Sequence, residues 1–297
     1  MRNPLKSRTR KSRLALTGAA VAALIAIPSA VAAASTGSPA HPAGSHSSSA
    51  ARPTIVLEHG AWADGSSWDG VVTGLQKDGY TVDVPPNPLR GPDSDSAYLA
   101  SYLATVPGPI VLVGHSYGGM VITDAATGNA QVKALVYVDA YIPAAGESAL
   151  QLTGAQPGSC LGGGGNPQNV FNFVTYPGAP ANDYDLYVKV AAGPSFPGFA
   201  QCVANDLPAS QAAVLAATQS PVTLSALAAP SSAPAWTTIP SWDLVGTQDH
   251  VIPTAEQLFM AHRAGAHIVE ISASHLSMIS HPEAVESLIN QAVRAVS

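Results

Sequence analysis

Val111-Leu112-Val113-Gly114-His115-Ser116-Tyr117-Gly118-Gly119 runs a β-branched apolar stretch into Gly-x-Ser-x-Gly and then into a segment with helical character. A strand that turns sharply into a helix with Ser at the apex is the setting of a nucleophile elbow. Small residues at Gly114 and Gly118 let neighbouring backbone pass close, so that the Ser116 hydroxyl stands exposed. A Gly-x-Ser-x-Gly pattern alone is weak evidence in a chain with 26 Gly. The flanking strand and helix are what single out Ser116 as a candidate nucleophile.

Outward from that turn, short β-branched runs alternate with helical patterns. Strands are read at residues 54–58, 81–84, 110–113, 134–138, 241–245 and 267–271, with helices near 67–75, 96–105, 117–126 and 255–264. The clearest helix follows Pro282, where Val285, Leu288, Ile289, Ala292, Val293 and Val296 repeat at threes and fours and form one apolar face. This alternation predicts an α/β fold, a mostly parallel central sheet with helices on both faces. Between about residues 141 and 238 the alternation breaks. That stretch is rich in Pro, Gly and Ala, carries Phe171, Phe173, Phe196 and Phe199 of the five Phe, and has Lys189 as its one basic residue. It reads as an inserted cap whose aromatics serve a substrate cavity, the cap's own core, or both.

A serine hydroxyl needs a base within hydrogen-bond reach, and the base needs a carboxylate to hold its tautomer. In sheets built around such an elbow the chain order is Ser, then acid, then His, each in a turn after a strand. Asp249 follows the strand at 241–245, and His275 follows the strand at 267–271. Both fall at carboxyl ends of strands, where open α/β sheets place their sites. Asp139, at the end of the strand after the elbow helix, is the rival acid, while Asp243 lies within a strand. For the base, His250 reads as a turn residue, His281 as a helix-capping residue beside Pro282, and His115 as fixed beside Ser116. The oxyanion of an acyl-transfer intermediate calls for two preorganised N–H donors. The candidates are the amide of Tyr117 and that of Ala61, in the loop His59-Gly60-Ala61-Trp62 after the first strand; Trp62 walls the pocket or packs beneath it.

The chain opens with a basic segment (Arg2, Lys6, Arg8, Arg10, Lys11, Arg13), an apolar core from Leu14 to Ile27, and small residues through Ala34. Residues 1–34 therefore read as a secretory signal of the general route. The apolar core is short of the ~20 residues needed to span a bilayer, so no stable membrane anchor is expected after cleavage. Residues 35–52 are Ser, Ala, Gly and Pro with two His, and read as a disordered linker to a single domain over 53–297. Processing removes six of the 13 basic residues and leaves 7 against 19 acidic, a net charge of −12. Nucleic acid and anionic substrates are thereby disfavoured, and a small neutral molecule fits better. Cys160 and Cys202 are the only cysteines and are expected to pair in an exported protein, a bridge worth about 4 kcal/mol in the chain-entropy model. No metal or organic-cofactor motif is present, and oligomeric state is not readable.

Taken together, His59-Gly60-Ala61-Trp62, Gly114-His115-Ser116-Tyr117-Gly118-Gly119, Gly246-Thr247-Gln248-Asp249 and Ser274-His275 with Ser280-His281-Pro282 resemble the bacterial α/β-hydrolase esterases similar to salicylate esterases and plant methyl esterases. The resemblance spans nearly the whole processed chain. It implies hydrolysis of small carboxylic esters without a cofactor, under a cap that sets substrate choice; with the Ser116-His275-Asp249 triad, this predicts an acyl-enzyme route on small neutral esters, with Trp62 and the cap residues Phe171 and Phe173 as candidate substrate contacts. Hydroxynitrile lyases of the same branch carry a lysine directly after the histidine. Here that position is Leu276. Lactone hydrolysis, perhydrolysis, cyanohydrin cleavage and a non-catalytic ligand-binding role on the same scaffold are the alternatives.

Overall fold

The computed structural model describes residues 52–297. The expected leader at 1–34, and the expected linker apart from Arg52, lie outside the described residues. Along the chain run β1 (Thr54–Glu58), α1 (Asp69–Lys77), β2 (Val82–Asp83), α2 (Pro92–Leu103), β3 (Ile110–His115), α3 (Tyr117–Ala125) and β4 (Val132–Val138). Then come α4 (Ala149–Thr153), β5 (Phe171–Val174), β6 (Asp185–Val188), α5 (Phe199–Val203), α6 (Ala209–Ala217), β7 (Val222–Thr223) and α7 (Leu224–Ala228). The chain closes with β8 (Ser241–Gly246), α8 (Thr254–Ala264), β9 (His267–Ile271), α9 (Ser277–Ser280) and α10 (Pro282–Val296).

Six strands form one sheet in the order β2-β1-β3-β4-β8-β9, every neighbouring pair parallel. This is the parallel central sheet that the alternation of strands and helices predicts. β1, β3 and β8 are buried along their whole length, which is why they read as continuous apolar runs without alternation. α10 starts with Pro282 in its first turn and lays buried Val285, Leu288, Ile289, Ala292 and Val293 inward, as its spacing predicts. α3 is buried on nearly every side and carries no charge apart from Asp124, the pattern of a helix enclosed between layers.

Register decides where the chemistry collects. Glu58 pairs with Gly114, Gly114 with Tyr137, Val138 with Leu244, and Gly246 with Ile271. The carboxyl ends of β1, β3, β4, β8 and β9 therefore finish side by side, and the turns bearing His59, Ser116, Asp139, Asp249 and His275 share one edge.

Two elements differ from the sequence reading. α2 begins at Pro92 rather than near Ser96, because Pro suits the first helical turn and buried Asp95 accepts the amides of Arg90 and Gly91 there. The segment between β4 and β8 is not merely irregular: β5-β6-β7 form a second, antiparallel sheet. Cys160 and Cys202 are joined across this segment, with their Cα atoms 5.7 Å apart.

Candidate active site

Ser116 sits between β3 and α3 with φ 51° and ψ −123°, a backbone state that costs a non-glycine residue on the order of 1–3 kcal/mol. Neighbouring backbone holds it there. Its carbonyl accepts the amides of Gly119 (2.9 Å) and Tyr141 (3.3 Å). The crossing is so tight that a Cβ on Gly118 would lie 2.6 Å from the Glu58 carbonyl, and one on Gly60 would lie 2.8 Å from both the Ser116 Cβ and His115 Nδ1. Glycine at these positions is a condition of the turn.

The Ser116 hydroxyl donates to His275 Nε2 at 2.8 Å, and His275 Nδ1–H donates to Asp249 Oδ2 at 2.8 Å. All three side chains are buried. Asp249 is oriented by the amides of Val251 (2.7 Å) and Ile252 (3.1 Å) on Oδ1 and by the Gln257 amide (2.8 Å) on Oδ2. Burial alone lowers the pKa of the His275 imidazole, but the charge and hydrogen bond of Asp249 outweigh it and hold the value above 6.5.

The competing residues do other things. Asp139, at φ 46°, accepts the amides of Gly246 (2.9 Å) and Ser277 (3.0 Å) and ties the acid turn to the histidine turn. It makes no hydrogen bond to the His275 ring. Burial, reinforced by the charge of Asp249, pushes its pKa up to about 7. Asp243 is buried without a hydrogen-bond partner among the described residues, and desolvation holds its carboxyl well above the ordinary range. His115 donates from Nε2 to the His275 carbonyl (2.8 Å), and desolvation drops its pKa well below 6.5, so it is a neutral support. His250 donates to the Gln201 carbonyl (2.9 Å), and His281 stands at the N-cap position of α10, though its side chain makes no capping hydrogen bond.

Neither the Ala61 nor the Tyr117 amide, both beside Ser116, has a protein acceptor among the described residues. Tyr117 opens α3, whose first N–H groups have no partner within the helix. The loop preceding Ala61 is fixed by His59, which donates from Nδ1 to the Gly60 carbonyl and accepts the Asn87 amide at Nε2, 3.0 Å each. The Trp62 indole N–H donates to the Leu186 carbonyl (2.9 Å), and its ring stacks on Phe171 at 5.6 Å. Ser116, Tyr117, Trp62, Phe171 and Phe173 all line one cavity of about 130 Å³, which Leu161, Leu186, Leu224 and Leu227 from the cap also line. Its lining is almost wholly apolar.

Cap residues that carry no motif also reach the site. Asp206 accepts the Ser274 amide (2.9 Å) and hydroxyl (2.5 Å), one residue before His275. The Cys160 amide donates to the His250 carbonyl (2.7 Å), the Ser159 hydroxyl to Val251 (2.7 Å), and the Asn205 amide to Gln248 (3.2 Å). Both half-cystines thus sit within four residues of groups that hold the acid turn or the histidine turn. Nothing in the local sequence announces Asp206 or Gln257; only the tertiary contact does.

Residues 55–288 match the model of the alpha/beta hydrolase family. Over 111 residues the chain is 36% identical to a carbendazim-hydrolysing esterase of Nocardioides sp. (strain SG-4G), an alignment covering 33% of this chain and 46% of that protein. A pyrethroid hydrolase from Sphingobium faniae JZ-2 superposes with TM-score 0.63 at 22% identity, covering 82% of this chain and 98% of that one. An extracellular α/β-hydrolase from a Paenibacillus species, described as sharing homology with tobacco salicylic acid binding protein 2, superposes with TM-score 0.59 at 21% identity over 81% and 98%. The fold, the motif order and the family match agree, and the chain belongs to the alpha/beta hydrolase family.

Proposed function

We propose that the protein is a serine esterase acting on small, neutral carboxylic esters. The observation that carries this reading is the hydrogen-bonded run Ser116–His275–Asp249 opening onto an apolar cavity beside two unpartnered amides. Ser116 Oγ attacks the carbonyl carbon as His275 Nε2 takes its proton, and the amides of Ala61 and Tyr117 receive the oxyanion. Asp249 stabilises the imidazolium, which hands its proton to the leaving alkoxide, and the acyl group stays on Ser116. Water, deprotonated by the same imidazole, then attacks the acyl-enzyme and releases the acid. The family relatives named as esterases and hydrolases support the class of reaction. The apolar cavity, with no basic residue among its lining, supports an uncharged acyl group.

The test is hydrolysis of a p-nitrophenyl ester series from acetate to palmitate beside Ser116→Ala. A loss of at least ~10³-fold is the scale of a removed nucleophile. Absence of hydrolysis together with no fluorophosphonate label on Ser116 would refute the reading and leave a ligand-binding protein. The proposal includes export, supported by the basic-apolar-small order of residues 1–34. Protein recovered from the medium with its N-terminus near residues 30–36 is the expected result, and intact chain retained inside the cell would overturn it.

A further inference from the structure

The carbonyl and the N–H of a trans peptide point in opposite directions, so whatever holds the Gly60 carbonyl aims the Ala61 amide. His59 holds it, through Nδ1–H at 3.0 Å. His59 Nε2 accepts the backbone N–H of Asn87 (3.0 Å), a group that can only donate, and burial lowers the pKa of the ring. The imidazole is thereby kept neutral, in the one tautomer that serves Gly60. The Asn87 side chain completes the clamp: its Nδ2 donates to the His59 carbonyl (2.9 Å) and its Oδ1 accepts the Leu89 amide (3.3 Å).

The other candidate donor is tied to the same chain segment, between β2 and the first turn of α2. The Tyr117 hydroxyl donates to Asp95 Oδ2 (2.9 Å), and that oxygen also accepts the amides of Arg90 (3.0 Å) and Gly91 (3.1 Å). The segment in turn bears on the cap. Leu89, strained at φ 59°, offers its carbonyl to the Thr223 amide of β7 (3.2 Å), and Arg90 pairs with Asp185 of β6 (2.5 Å). Asn87 and Asp95 are buried and lie outside the cavity lining. We propose that they are the positioning residues of the oxyanion hole: Asn87 aims the Ala61 amide and Asp95 the Tyr117 amide, from one segment that the cap sheet holds. This rests on the esterase reading above. Acylation and deacylation both pass through an oxyanion, so a displaced donor slows either step and leaves ground-state binding alone.

The test uses three variants. Asn87→Ala removes the clamp, Asn87→Asp keeps its shape and loses the donor to the His59 carbonyl, and Tyr117→Phe removes the phenol but keeps the amide. Each should lower kcat on p-nitrophenyl butyrate ~10- to 100-fold, with KM within ~3-fold; outright loss of a donor costs about 10²–10³-fold. A trifluoromethyl alkyl ketone takes Ser116 Oγ at its carbonyl carbon, the Ser116 proton passing to His275 and the ketone oxygen becoming an oxyanion in the hole. Its Ki should rise by the factor by which kcat/KM falls, and the ¹³C resonance of the hemiketal should report a raised pKa for that oxygen. The low-field proton signal of His275 Nδ1–H should stay in place, because the triad is untouched. The proposal is overturned if kcat in the folded variants stays within ~2-fold of wild type, if Ki does not follow kcat/KM, or if the His275 signal is lost. Unfolding of both Asn87 variants assigns that residue to the fold and overturns its part. A wild type that neither turns over ester nor adds to the ketone refutes the esterase reading beneath; an active wild type with unaffected variants refutes the positioning alone.

Discussion

Replacing Cys160 and Cys202 by Ser tests whether the cap merely covers the site or also holds its parts in place. The two half-cystines are 42 positions apart. Opening a loop of that length removes about 4 kcal/mol in the chain-entropy treatment. At about 2.1 cal/mol/K per residue, unfolding of residues 52–297 carries an entropy of roughly 0.5 kcal/mol/K, so Tm should fall by about 8 °C. The second effect is on rate. Cys160 and Ser159 hold the carbonyls of His250 and Val251, Gln201 accepts from His250, and Asn205 and Asp206 hold Gln248 and Ser274. A displacement of ~1 Å at such positions can cost on the order of 10²-fold in rate. The double variant, assayed at 25 °C where it is still folded, should lose about 10- to 100-fold in kcat with KM changed far less. Calorimetry gives the Tm, and ester hydrolysis gives the rate. A Tm lowered as expected with kcat intact would refute the positioning role. An unchanged Tm would refute the entropic one.

Asp206→Ala should lower kcat about 10-fold without comparable change in KM, and Asp206→Asn, which keeps one acceptor for the Ser274 amide, should recover part of it; equal losses in both variants would place the effect elsewhere. The kcat/KM of the wild type should rise with pH through a value above 6.5, because His275 must be neutral to accept the Ser116 proton and Asp249 stabilises its charged form. Asp139, with its pKa near 7 and its charge facing the same imidazole, adds to that shift, so the kinetic pKa should drop in Asp139→Asn; a limb centred below 6 in the wild type would contradict this. The same raised value makes the contribution of His275 to folding present below about pH 6.5 and lost as pH rises through the folded pKa, which pH-dependent denaturation can check. Gly118→Ala should destabilise by about 1–3 kcal/mol or fail to fold, since its Cβ would stand 2.6 Å from the Glu58 carbonyl; wild-type stability in urea titration would refute the close-crossing argument.

The central sheet was legible because its strands are buried on both faces, and burial writes itself into the chain as runs such as Ile110-Val111-Leu112-Val113. The apex serine was legible because an elbow demands small residues at fixed offsets. The cap sheet was not. Val222-Thr223 is a strand of two residues, and Phe171–Val174 alternates over only four. Segments so short take their conformation from the partners they pair with, here Leu186 against both Phe173 and Val222.

The choice between Asp139 and Asp249 shows where local reading stops. Both are buried carboxylates in turns at carboxyl ends of strands, and both feel the His275 charge or each other. What separates them is direction. Asp139, at positive φ, spends its two oxygens on the amides of Gly246 and Ser277, whereas Asp249 receives two amides on one oxygen and leaves the other for Gln257 and the imidazole. The sequence could name two acids at the right edge of the sheet, but only the crossing of β4, β8 and the last turns determines which one faces the ring.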